Sequence, residues 1–231
     1  MKKVYFLIVA CLVLIVANVD AQISFSVKAA GGLPGYSEDV DETVGDKDSD
    51  SKFKAGFKIG AGVDYAILDN LSLQSGLFLS QKGAKYEEKD NEGKYTATYN
   101  PLYLEIPVLA AFKFPVADNV KLSVSAGPYL AYGLGGKAKI EGSYDVIKGS
   151  VDANLFSKTK LNGENISNAP LKRFDAGLAF GAGAEIGKFL VSLNYDLGLA
   201  NIYTNKTNDE GDNKKYSLKN SGIWLGVGYK F

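Results

Sequence analysis

The sequence contains no histidine, and its only cysteine and only methionine are Cys11 and Met1. Both sit in a segment with the marks of a leader: Lys2 and Lys3, an apolar run over residues 4–19, then Ala21 before Gln22. That run is 16 residues long, short of the roughly 20 that a membrane-spanning helix needs. Residues 1–21 are therefore expected to be a secretory signal peptide, leaving one domain over 22–231. The apolar stretch continues past Cys11, which argues against lipidation there. The exported chain would hold no His, Cys or Met. That excludes disulfides, thiolate chemistry, the usual zinc sites and every His-dependent triad. No enzyme, cofactor or metal site is expected. An excess of charge is also missing: 26 basic and 26 acidic residues, or 24 and 25 without Lys2, Lys3 and Asp20. Nucleic acid is not an expected partner. Nor is there a sustained helical period, so helix content should be small.

What is present is a period of two. Eight segments alternate apolar with small or polar residues: 23–32, 53–67, 71–82, 102–114, 120–133, 173–187, 188–201 and 222–231. In the last, Ile223, Leu225, Val227, Tyr229 and Phe231 point one way, and Gly222, Trp224, Gly226, Gly228 and Lys230 the other. A strand with two unlike faces follows, and an edge of this kind must be paired. The connections alternate as well. Residues 68–70, 115–119 and 187–188 are tight, whereas 34–52, 83–101, 134–172 and 202–218 are long and polar. Short turns on one side and long loops on the other are the layout of an outer-membrane barrel. The expected fold is all-β: an eight-stranded antiparallel up-and-down transmembrane β-barrel, both termini on the short-turn, periplasmic side. A soluble periplasmic barrel is the rival fold.

Residue types orient the faces. No charge interrupts the apolar faces, while the opposite faces carry glycines such as Gly60, Gly62, Gly177, Gly181, Gly183 and Gly226. Glycine suits the crowded interior of a small barrel, and a water-exposed face would be dense in Lys and Glu. The inner face also carries both signs of charge. Lys58, Lys113, Lys121 and Arg173, with Lys28, Lys54, Lys82 and Lys230, face Asp64, Glu105, Asp175, Glu185 and Asp196. Buried charges must be paired, so a structural salt-bridge network plugging the lumen is expected.

Three further expectations follow. Aromatic girdles should lie at the loop end (Phe53, Tyr132, Phe174, Tyr203) and the turn end (Tyr65, Phe112, Phe114, Phe189, Tyr229, Phe231). Pro107 and Pro128 should each force a bulge or local distortion. The long 134–172 connection should extend strands five and six beyond the membrane. Asp46, Asp48 and Asp50 open like a calcium loop, but Ser51 and Phe57 stand where the glycine and acid should be, so a solvated acidic loop is the reading.

Four stretches carry a family resemblance: residues 103–109 (Tyr-Leu-Glu-Ile-Pro-Val-Leu), 173–178 (Arg-Phe-Asp-Ala-Gly-Leu), 181–185 (Gly-Ala-Gly-Ala-Glu) and 194–202 (Asn-Tyr-Asp-Leu-Gly-Leu-Ala-Asn-Ile). They make the chain resemble the outer-membrane β-barrel proteins of Bacteroidetes, the porin-family or PorT-like group, with a small OmpA/OmpX-type barrel. The resemblance implies an outer-membrane location and no single activity; some relatives serve protein secretion. Phe231 resembles the C-terminal aromatic that such barrels present to the barrel assembly machinery. Expected partners are outer-membrane lipid, that machinery, and an envelope or secretion protein met through the loops. The alternative function is a small-solute pore.

Overall fold

The computed structural model describes residues 22–39, 51–52, 54–89, 93–144, 147–157, 159–161, 164–167, 170–204 and 217–231. The segment expected to be a signal peptide, residues 1–21, the Asp46–Asp48–Asp50 series and Phe53 lie outside the described residues. Eight strands form a closed ring. They are β1 (Ile23–Asp39), β3 (Gly56–Leu68), β4 (Leu71–Gln81), β6 (Gly93–Ala117), β7 (Val120–Tyr144), β11 (Phe174–Ile186), β12 (Phe189–Gly198) and β13 (Ser217–Lys230). Each pairs antiparallel with the next, and β13 returns to β1 in one register from Ser26 opposite Lys230 to Asp39 opposite Ser217. Closure leaves no free edge along this seam. The tight turns at 69–70, 118–119 and 187–188 share one end of the barrel with Ile23 and Lys230.

Strand length fits the purpose of each segment. The strands β3, β4, β11 and β12 run 13, 11, 13 and 10 residues, close to the roughly 9–11 that cross a bilayer at a tilt. Their outward residues are large and apolar. Leu225 is 64% exposed, Val227 61% and Ile223 50%, whereas Trp224 between them is 1% exposed. An outer band of such residues around the whole ring is a lipid-facing surface, because water would make it an aggregation site. At the turn end Phe189, Tyr229 and Phe231 stack edge to face at 5.6 Å, and Phe112 meets Phe114 at 4.7 Å. At the loop end Phe174 and Tyr132 are cross-strand partners. Tyr203 is not in that girdle; it is half-buried and packs against the core.

Two strands outgrow the membrane. Both β6 and β7 run 25 residues, and their ladder continues up to Gly93 opposite Tyr144. The part of β6 before Leu102 adds roughly 30 Å along the strand at about 3.3 Å per residue. On one flank β5 (Lys85–Lys89) pairs with β6, and β2 (Ser51–Lys52) with β5. On the other, β8 (Ile147–Asn154) pairs with β7. A separate pair, β9 (Thr159–Leu161) and β10 (Glu164–Ser167), follows. The 83–101 connection expected to be a loop is thus largely a β-hairpin. Strands four and five, rather than five and six, form the extension, because the sixth strand starts only at Phe174.

The ladder shifts by one residue where this paddle leaves the barrel. Leu102 pairs with Gly135 and Tyr103 with Gly133, so Leu134 is the extra residue of a rim bulge. The prolines produce no bulge. Pro128 faces Leu178 in an unbroken register with β11. Toward β6 the pairing lapses opposite Val108 and Leu109 and resumes in the same register. Around Pro107 the β4–β6 pairing lapses between Ser75–Val108 and Phe78–Glu105, again without a shift. A missing N–H removes a ladder bond but requires no extra residue. The Ser75 hydroxyl fills part of the gap by donating to the Pro107 carbonyl at 2.8 Å.

Candidate functional site

The lumen has three levels. In the middle, β3, β6, β11 and β12 aim Lys58, Glu105, Asp175 and Asp196 at one point, and Lys82 enters just after β4. Lys58 Nζ lies 2.6 Å from Glu105 and 2.5 Å from Asp196. Lys82 Nζ lies 2.8 Å from Glu105, 3.3 Å from Asp175 and 4.0 Å from Asp196. Glu105, Asp175, Asp196 and Lys82 are all at most 3% exposed. Three carboxylates face two ammonium groups, which would leave acceptors unmet in a dry interior. Neutral donors fill part of the deficit, and the buried Asp175 Oδ1 keeps no hydrogen-bond partner among the described residues. Trp224 Nε1 donates to Asp196 at 2.9 Å, and the Asn220 amide to Asp175 at 2.9 Å. The Tyr129 hydroxyl donates to Asp175 at 3.4 Å. Lys82 also stands 4.2 Å from the centre of the Tyr129 ring, and Lys58 4.9 Å from that of Trp224.

Glycines let these rings lie flat on the wall. A Cβ at Gly177 would stand 2.7 Å from Tyr129 Cε1 and 2.8 Å from Gly198 Cα. At Gly32 it would stand 2.5 Å from Trp224 Cε3. Neither close approach has room for a side chain.

Above this cluster, toward the loops, lies an apolar plug. Tyr103, Leu155 and Ile202 are fully buried, and Tyr36, Phe156, Leu171 and Leu218 nearly so. The segments that cap it are fastened by main-chain bonds, Leu171 N to Leu155 O at 3.0 Å and Ile202 N to Leu218 O at 2.9 Å. Phe156 packs edge-on against Tyr103 at 5.6 Å.

Below the cluster, toward the turns, the lumen is open. A cavity of about 160 Å³ runs from Trp224 and Asp196 down to Ser24, Lys121 and Lys230. Lys113 pairs with Asp64 at 2.8 Å, and Gln74 donates to the same carboxylate at 2.7 Å. Lys230 pairs with Glu185.

The structure therefore brings Lys58, Glu105, Asp175 and Asp196 together and holds Asp64–Lys113 and Glu185 in separate pairs. Two expected members stand apart. Lys121 lines the cavity with no ion-pair partner among the described residues. Arg173 is outside the lumen network. It sits at the rim before β11, where its guanidinium donates to the carbonyls of Gly133 at 2.7 Å and Leu134 at 3.4 Å. Those are the bulge residues, whose displaced carbonyls need a donor. Arg173 also lies 5.5 Å from the Phe156 ring centre. Lys82, placed on the inner face by its parity, is the residue that reaches three of the carboxylates.

A closed ring with an apolar outer band and a polar interior is the architecture of an integral outer-membrane β-barrel. Residues 18–204 match the family described as outer membrane protein beta-barrel domain, and the chain belongs to that family. No curated protein matches the sequence. Among solved structures, the chain is similar to Ail of Yersinia pestis in complex with the heparin analogue sucrose octasulfate. That match has 15% identity and TM-score 0.39, covering 91% of this chain and 99% of that one. Neisserial surface protein A has 14% identity and TM-score 0.38 over 90% and 97%. OprG from Pseudomonas aeruginosa has 12% and 0.41 over 91% and 96%.

Proposed function

We propose that this is a non-conducting, non-enzymatic surface protein of a Gram-negative outer membrane, of the porin-family or PorT-like Bacteroidetes group, that meets an envelope or secretion partner through its loop-side paddle. The observation that carries the reading is the buried Lys58–Lys82–Glu105–Asp175–Asp196 cluster under an apolar cap. It closes the lumen and leaves the extension of β6 and β7 as the part free to make contacts. Absence of histidine from the whole sequence supports the non-enzymatic reading. The turns and both ends of the ring face the periplasm in this reading, and Phe231 serves the assembly machinery. A small-solute pore would draw on the turn-side cavity alone, which ends at the cluster.

Orientation and contact are tested together by single-cysteine chains, since Cys11 is the only natural cysteine. Lys139→Cys on the paddle should react with a membrane-impermeant maleimide on intact cells, and Asn119→Cys in a tight turn should not. A photocrosslinker attached at residue 139 should give a discrete protein adduct in the envelope. Labelling confined to residue 119, or no adduct beyond lipid, contradicts the reading.

A further inference from the structure

The two polar zones of the lumen have opposite sign. The middle cluster sets three carboxylates against two ammonium groups. Below it, the turn-side part of the cavity sets Lys28, Lys113, Lys121 and Lys230 against Asp64 and Glu185, while Lys58, Glu105 and Asp196 of the cluster line its upper end. Lys113 and Lys230 are paired there. Among the described residues no carboxylate lies within ion-pair distance of Lys28 or Lys121. Lys121 faces Glu185 directly across the β7–β11 ladder, yet that carboxylate is taken by Lys230. The charges are close enough to act on one another: Lys28 feels Asp64 and then Lys113, and Lys230 feels Lys113 and Lys121 and then Asp64. Around them the wall is lined by hydroxyls, from Ser24, Ser26, Ser75, Ser123, Ser125 and Ser192. The room exists because the facing positions are glycines. A Cβ at Gly181 would press within 2.6 Å of Ser125 Oγ, and one at Gly226 within 2.9 Å of Ser192 Oγ. A recess walled by sheet and lipid screens charge less than open water does and focuses its field.

We propose that the turn-side half of the lumen is a binding site for a small multiply charged oxyanion, with the chemistry of a phosphate group, held by Lys28 and Lys121 and by serine hydroxyls. The anion neutralises the two ammonium groups that no carboxylate pairs. Phosphate free in the aqueous compartment and a phospholipid headgroup at the barrel mouth share this chemistry. The site stands apart from whatever the paddle binds.

The test is calorimetric titration of the full exported chain, refolded in nanodiscs of zwitterionic lipid, with inorganic phosphate and then pyrophosphate. Saturable 1:1 binding that weakens with added salt is expected. Lys28→Gln with Lys121→Gln should weaken it at least about tenfold, the loss expected for one charge-assisted hydrogen bond. Lys139→Gln on the paddle should leave it unchanged. Lys121→Gln alone, which has no ion-pair partner among the described residues to lose, guards against a folding failure, and broadening of the phosphorus-31 resonance of pyrophosphate by the unaltered barrel needs no variant. In a second arm, phosphatidic acid in the nanodisc should compete with pyrophosphate if the headgroup is the natural source and not if the free anion is. No saturable binding, or binding that the double substitution leaves unchanged, overturns the proposal.

Discussion

Lys82 carries more of the structure than any other single charge. It reaches three carboxylates that arrive on three strands, and none of the four groups can turn to water. Lys82→Met would leave three carboxylates facing the single Lys58 ammonium, an excess of two. Removing one partner of a buried ion network costs about 3–5 kcal/mol. Trp224 is the only tryptophan and bonds to Asp196, so its fluorescence reports on the cluster directly. Urea unfolding followed by that signal should show a large loss of stability for Lys82→Met. Lys139 pairs with Glu141 at 2.7 Å but is half-exposed; Lys139→Met should change stability by no more than about 1 kcal/mol. Equal effects would refute the weight given to the cluster. Inward placement of these groups was legible from alternation alone, since Lys58, Glu105, Asp175 and Asp196 all fall on the small-residue face. Their partners were not. Lys58 and Asp196 are 138 residues apart on strands that do not pair, and meet only through the stagger of a closed ring. Arg173 shows the limit of parity: it precedes its strand, and a bulge that only the register reveals redirects it to main-chain oxygens.

At the scale of elements, the barrel strands read plainly and the paddle did not. A lipid-facing strand must be apolar on one side, so 71–82 or 188–201 announces itself. Beyond the membrane neither face needs to be apolar, and Lys85-Tyr86-Glu87 carries little periodic signal. The 83–101 hairpin therefore passed for a loop. At Pro107 and Pro128 the expected distortion takes the form of an in-register gap, which omits ladder bonds without a bulge. The terminal strand β13 offers a sharp test. Phe231 N donates to Phe25 O at 3.0 Å and its ring stacks on Tyr229, a modest share of a long seam. Removing Phe231 should cost roughly 1–2 kcal/mol, as for one hydrogen bond and one aromatic contact, and leave refolding into detergent intact. Its level in the outer membrane of cells should fall severalfold. Normal membrane levels of the chain ending at Lys230 would refute an assembly role, and failure to refold in detergent would make the residue structural instead.

Taken whole, the molecule is a ring whose outside is uniform and whose inside changes along the axis: an open basic recess at the turns, a buried ionic layer, then an apolar cap continuous with the paddle. Eight strands leave an interior that side chains can fill, and this chain fills its middle and upper parts. The most direct test of that seal is single-channel recording of the refolded 22–231 chain in planar bilayers. The sealed lumen predicts a flat baseline at either polarity, with no reproducible steps. Uniform, stable conductance steps from the unaltered protein would contradict it and make the barrel a pore.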